Sequence, residues 1–104
     1  MEAKEKISQT LKDNKVVLYM KGSPDFPMCG FSARATAILK ELSVPFHAVN
    51  VLDDEEIRQG IKEFGQWPTV PQLYVNQELL GGSDIMMEMF ESGELAKALR
   101  SLKG

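Results

Sequence analysis

The chain has 104 residues, 12 of them Lys or Arg and 15 Asp or Glu, for a formal net charge of −3. That length allows one compact domain rather than two, and the mild acidity carries no electrostatic footprint of bulk nucleic-acid binding. A lone cysteine excludes an internal disulfide framework and fits a reducing compartment. No apolar run approaches the ~18–20 residues of a membrane span, and Met1 to Lys12 mixes Glu and Lys with no apolar signal core. The expected location is the cytoplasm, or an organelle if a transit peptide has been removed, with neither nucleic acid nor membrane as a partner.

Ile7 and Leu11 recur at helical spacing among Lys, Glu and Gln, which predicts an amphipathic helix over Ala3 to Asp13. Val16-Val17-Leu18-Tyr19-Met20 is a near-continuous apolar run with β-branched residues, the pattern of a central strand covered on both faces. Two prolines and a glycine keep Lys21 to Pro27 out of regular structure. Ala33, Ala37, Ile38 and Leu42 predict a second helix over Gly30 to Leu42, and Phe46 to Val51 reads as a second strand. The acidic run at Asp53 suits the start of a third helix reaching Phe64, with Gly65 placed to end it. Trp67 to Pro71 is irregular. Gln72 to Val75 and Glu78 to Leu80 flank Asn76-Gln77, a compact hairpin signal. Gly81-Gly82-Ser83-Asp84 opens a helix running to about Glu91, Gly93 breaks it, and Glu94 to Leu102 forms the last one. A crossover makes the first two strands parallel, and the hairpin is antiparallel. The expectation is an α/β protein with a four-stranded mixed sheet flanked by helices, an order similar to that of the thioredoxin-like fold.

Cys29 is the candidate reactive residue. It falls at a loop-to-helix junction, where helix amides and the dipole stabilise an anion and lower a thiol's pKa below ~8.5. The thiolate is both the nucleophile and the metal ligand. Gly30 lets the backbone approach whatever binds the sulfur, and Lys21 is the nearest cation in sequence. Three places beyond Cys29, where a Cys-x-x-Cys protein keeps its second thiol, stands Ser32. It can hydrogen-bond the sulfur or serve as a plain first-turn serine. With no other cysteine in the chain, a second sulfur must come from a small thiol, another chain or an inorganic cluster.

Lys21-Gly-Ser-Pro-x-x-Pro-x-Cys29-Gly-Phe-Ser32, Trp67-Pro-Thr-Val-Pro71 and Gly81-Gly-Ser-Asp84 together resemble the monothiol glutaredoxins of the Cys-Gly-Phe-Ser type. The resemblance spans essentially the whole chain, so residues 1–104 are expected to form a single glutaredoxin domain. The stretch between Lys21 and Cys29 has the longer form that marks this class against dithiol glutaredoxins. Family members include a cysteine where this chain has Ser83, which leaves Cys29 without a second redox partner.

The resemblance implies a groove for glutathione, an extended tripeptide with two carboxylates, one amine and a thiol. Lys21 and Arg58 are candidates for its glycine carboxylate, Arg through two hydrogen bonds. The resemblance implies a cis bond between Val70 and Pro71, which exposes the Val70 N–H and C=O to the ligand backbone. Gly82 and Ser83 amides, opening a helix, are candidates for the γ-glutamyl carboxylate, and Asp84 for its amine. Each has a plainer role open to it: loop solvation for Lys21, a helix ion pair for Arg58, a helix-start acid for Asp84. Trp67 either lines the groove or fills the core. His47 reads as an ordinary sheet residue, and Met86, Met87 and Met89 as packing or partner surface.

Two functions compete. Iron–sulfur clusters favour four thiolates; Cys29 and one glutathione from each of two chains supply that number. The resemblance implies a 2Fe-2S cluster bridging a homodimer, its transfer to iron–sulfur acceptor proteins, and a heterodimer with a BolA-type protein. The alternative is a glutathione-dependent disulfide oxidoreductase acting through Cys29 as catalytic nucleophile.

Overall fold

The structure is a computed structural model and describes residues 2–100. Helix α1 (Ala3–Asp13) turns Ile7 and Leu11 inward. Strand β1 (Val16–Met20) follows, with all five residues buried. After a long loop come α2 (Gly30–Glu41), β2 (His47–Asn50), α3 (Glu55–Gly65), β3 (Gln72–Val75), β4 (Glu78–Gly81), α4 (Ser83–Ser92) and α5 (Glu94–Arg100). The expected extension of α5 to Leu102 lies outside the described residues. No helix among the described residues is long and apolar enough to cross a membrane.

The four strands run in the order β2-β1-β3-β4. β1 lies parallel to β2, with Val17 opposite His47 and Tyr19 opposite Val49, and antiparallel to β3, with Leu18 opposite Leu73. Because side chains alternate along a strand, β1 feeds two cores. Val16, Leu18 and Met20 pack with Ile38, Leu39, Met86, Leu95 and Leu99 from α2, α4 and α5. Val17 and Tyr19 pack with Ile7, Leu11, Ile57 and Ile61 from α1 and α3. Helices thus cover both faces, and the architecture is the thioredoxin-like α/β fold. His47 is an exposed residue of β2.

Several ends differ from the sequence pattern, each for a local reason. β2 stops at Asn50, whose side-chain oxygen accepts the Leu52 N–H at 3.0 Å and starts a 3-10 turn over Val51–Asp53. α3 begins at Glu55 because Asp54 is its N-cap, accepting from the amides of Glu56 and Ile57 at 3.0 and 3.3 Å. α3 runs one residue past the expected Phe64 to Gly65, and the left-handed cap position, at φ 52°, falls to Gln66 rather than to the glycine. A Cβ at residue 65 would run into the Tyr74 hydroxyl and lie 2.9 Å from Gln72 Oε1. That glycine serves a close approach rather than a turn. Asn76 and Gln77, at φ 50° and 70°, make the tight β3–β4 turn.

Candidate thiolate site and its cleft

Cys29 is the N-cap of α2, in extended backbone conformation. Its Sγ does what a capping oxygen ordinarily does and accepts the Ser32 N–H at 3.3 Å. The Ser32 hydroxyl, wholly buried, is also 3.3 Å from Sγ. Lys21 N–H donates to that hydroxyl oxygen at 3.0 Å, which leaves the hydroxyl hydrogen to turn toward the sulfur once the thiol ionises. Burial pushes the Cys29 thiol up; the Ser32 hydroxyl, the backbone of Ser32 and Phe31 and the Lys21 charge together outweigh it, so the thiol lies below its ordinary value.

The loop before Cys29 is tied down by its own backbone. Ser23 and Phe26 exchange hydrogen bonds at 3.2 and 3.1 Å, and Met28 N–H donates to Lys21 C=O at 2.9 Å. Gly22, at φ 92°, donates to Asn50 Oδ1 at 2.9 Å. A Cβ there would strike Phe26 O and sit 2.6 Å from Met28 N. Lys40, late in α2, donates to Pro24 C=O at 2.9 Å and pairs with Asp25 at 3.5 Å. Phe26, Met28 and Phe31, close to Cys29 in sequence, stand in solvent, 76, 67 and 59 % exposed.

A cleft of about 430 Å³, within the size range of small-ligand sites, is lined by Lys21 and Phe31, near neighbours of Cys29, but not by Cys29 itself. Its lining is completed by Lys62, by the irregular segment Trp67–Pro71 and by Gly82–Ile85 at the start of α4. The Val70–Pro71 bond is cis. Val70 and Ser83 are buried, Ser83 as the first residue of α4 after Gly82. Asp84, 87 % exposed at its side chain, is 3.9 Å from Arg34 of α2. Lys21, Val70, Ser83 and Asp84 therefore share one cleft. Arg58 does not line it; its guanidinium is 3.9 Å from Glu55 on α3. The cation that lines the cleft from α3 is Lys62, which the sequence reading passed over although i and i+4 share a helix face. Trp67 is half-buried and lines the cleft. A larger hollow of about 750 Å³, bounded by Asn14, Lys15, Val44, Phe46 and His47, has none of these residues in its lining. Among the described residues no three His, Cys, Asp or Glu side chains converge to hold a metal ion.

A thiol of lowered pKa at a helix start, with a nearby cleft lined by a cis-proline turn, defines a thiol protein of the thioredoxin-like class. The glutaredoxin family model matches residues 16–80. The chain is 51 % identical over 102 residues to an uncharacterized monothiol glutaredoxin, ycf64, of Porphyra purpurea, spanning 98 % of this chain and 95 % of that one. It is 52 % identical over 98 residues to a ycf64-like monothiol glutaredoxin of Synechocystis sp., covering 94 % and 92 %. The solution structure of reduced poplar apo GrxS14 superposes with a TM-score of 0.82 at 48 % identity, over 94 % of this chain and 90 % of that one. The chain belongs to the glutaredoxin family, and its single cysteine makes it a monothiol member, consistent with the Cys-Gly-Phe-Ser type.

Proposed function

We propose that the chain binds glutathione along the cleft and that two chains, each with one glutathione, hold a 2Fe-2S cluster between their Cys29 thiolates for storage and transfer to iron–sulfur acceptor proteins. The observation that carries this reading is one cleft lined by Lys21, Lys62, the cis Val70–Pro71 turn and the start of α4, whose Lys21 also helps to lower the Cys29 thiol pKa. The glutathione glycine carboxylate goes to Lys21 and Lys62, joined by Arg58 when it leaves its weak exposed pair with Glu55. The peptide backbone runs beside Val70, the γ-glutamyl carboxylate meets the Gly82 and Ser83 amides at the start of α4, and Asp84 takes the amine.

The donor set fits a shared cluster. Thiolate sulfurs are its preferred ligands, and each chain offers one, already depressed in pKa, with a second supplied by bound glutathione. The exposed apolar side chains of Phe26, Met28 and Phe31 keep water from the sulfurs when two chains close on each other. A BolA-type partner enters the same scheme by supplying a histidine or cysteine in place of one side's ligand. A reducing compartment, the cytoplasm first of all, suits a thiolate of this kind.

A second reading is supported by the same low thiol pKa. Cys29 attacks the glutathione sulfur of a glutathionylated protein, forming a Cys29–glutathione disulfide and releasing the protein thiolate. A second glutathione thiolate then attacks the glutathione sulfur and leaves as oxidised glutathione, restoring Cys29.

Anaerobic reconstitution with ferrous iron, sulfide and glutathione separates the two. Visible charge-transfer absorbance that requires glutathione, appears with a dimer mass and vanishes in Cys29→Ser supports the carrier. A colourless monomer that turns over a glutathionylated protein overturns it in favour of the reductase.

A further inference from the structure

The Trp67–Pro71 segment that lines the cleft has no regular secondary structure to hold it, yet two of its carbonyls are held by a side chain. Gln72, the first residue of β3, is wholly buried. Its side-chain nitrogen donates to the C=O of Trp67 and to the C=O of Thr69, both at 3.1 Å. Both partners only accept, so the nitrogen and not the oxygen faces them, and both amide hydrogens are in use. The oxygen points the other way and accepts the Tyr74 hydroxyl at 2.9 Å. Gly65 seals the far side, since any Cβ there would enter the space of the Tyr74 hydroxyl. Trp67 N–H in turn donates to Lys62 C=O at 3.1 Å, which joins the wall to the helix carrying a cleft lysine.

We propose that Gln72 is a positioning residue for the cleft: its amide clamps the Trp67 and Thr69 carbonyls from behind, the Tyr74 phenol sets the amide's orientation, and the clamp aims the wall against which the ligand backbone lies. The proposal rests on the reading of the cleft as a glutathione site. Gln72 touches no ligand in this scheme and acts through the wall. A side chain of similar volume without donors leaves two carbonyls unpaired, so the wall gains freedom that ligand binding must then remove. Cys29 lies at the start of α2 and does not line the cleft, and its hydrogen bonds do not involve the clamp.

The test uses the full chain, reduced glutathione as the probe, and the variants Gln72→Met and Tyr74→Phe. Trp67 is the only tryptophan, so its fluorescence reports on the wall alone. In folded Gln72→Met, acrylamide quenching of Trp67 rises about twofold and the glutathione Kd about tenfold, from the loss of both wall hydrogen bonds and of the one that Tyr74 makes to the amide oxygen. The iodoacetamide rate at Cys29 stays at the wild-type value, which a general loosening of the fold would not permit. Tyr74→Phe shifts both wall readouts in the same direction by about threefold or less, and it decides the matter if Gln72→Met does not fold. Wild-type quenching and wild-type Kd in a folded variant overturn the role of Gln72, as does a change in either readout without the other. Failure of the wild-type chain to bind glutathione overturns the functional reading beneath the proposal, a result distinct from equal binding by wild type and variant.

Discussion

Ser32→Ala tests how the sulfur is activated. The substitution removes the hydroxyl 3.3 Å from Cys29 Sγ and keeps the Ser32 backbone N–H that caps onto the same atom. A hydrogen bond to a charged group is worth ~1.5–3 kcal/mol when shielded. The sulfur is partly exposed, so water takes over some of the hydroxyl's place and about 1 kcal/mol remains. That loss cuts the thiolate fraction about fivefold at pH well below the thiol midpoint. The assay is thiolate ultraviolet absorbance against pH, and it is unusually clean in this chain. Cys29 is the only cysteine, and the two tyrosines titrate later: burial pushes Tyr74 up to about 12 and, with Tyr74 beside it, pushes Tyr19 higher still. The Cys29 midpoint moves up in Ser32→Ala. A folded variant with an unmoved midpoint refutes the hydroxyl's part and leaves the backbone amides and Lys21 as the cause.

Stability should depend on pH through the same atom. Cys29 has a lower pKa folded than unfolded, so its thiolate contributes in full above the unfolded value near ~8.5 and loses that contribution as pH falls through the folded midpoint. The urea midpoint of wild type minus that of Cys29→Ser therefore rises with pH across this interval; a flat difference contradicts the linkage. Gly22→Ala places a Cβ against Phe26 O at φ 92°, and about 2–4 kcal/mol of stability is lost by denaturant titration. Asp54→Ala strips two amides of their acceptor at the start of α3 and costs about 1 kcal/mol by the same measurement. Lys62→Ala weakens glutathione binding by calorimetry about threefold to tenfold, less at high salt; an unchanged Kd removes Lys62 from the carboxylate end of the cleft.

What the sequence disclosed and what it concealed divide along local and non-local physics. The bounds of β1 and β3 are legible because a continuous apolar run and a hairpin turn are local signals. The place of Cys29 at a helix start is legible because prolines and a glycine exhaust the alternatives on its N-terminal side. The cap of α3 is not legible, because Gly65 answers to Tyr74 and Gln72, residues brought to it only by the sheet. The 3-10 turn after β2 depends on Asn50 Oδ1, which also accepts Gly22 N–H from the active loop; no periodicity announces such a bond. Lys62 lines the cleft together with the Trp67–Pro71 segment that follows α3, a juxtaposition no local pattern announces, and Gln72 gains its partners from a turn with no pattern of its own.

The sulfur proposed to react is also the atom that caps its helix, so any chemistry at Cys29 and the order in the first turn of α2 are one equilibrium seen from two sides. A proton, carbon, second sulfur or metal that takes the sulfur's electrons competes with the Ser32 amide for them. Whatever steadies that turn must, by reciprocity, alter the sulfur's hold on its occupant by the same factor. Exchange of the Ser32 amide hydrogen thus becomes an internal gauge of what Cys29 is bonded to, readable without a chromophore or an activity.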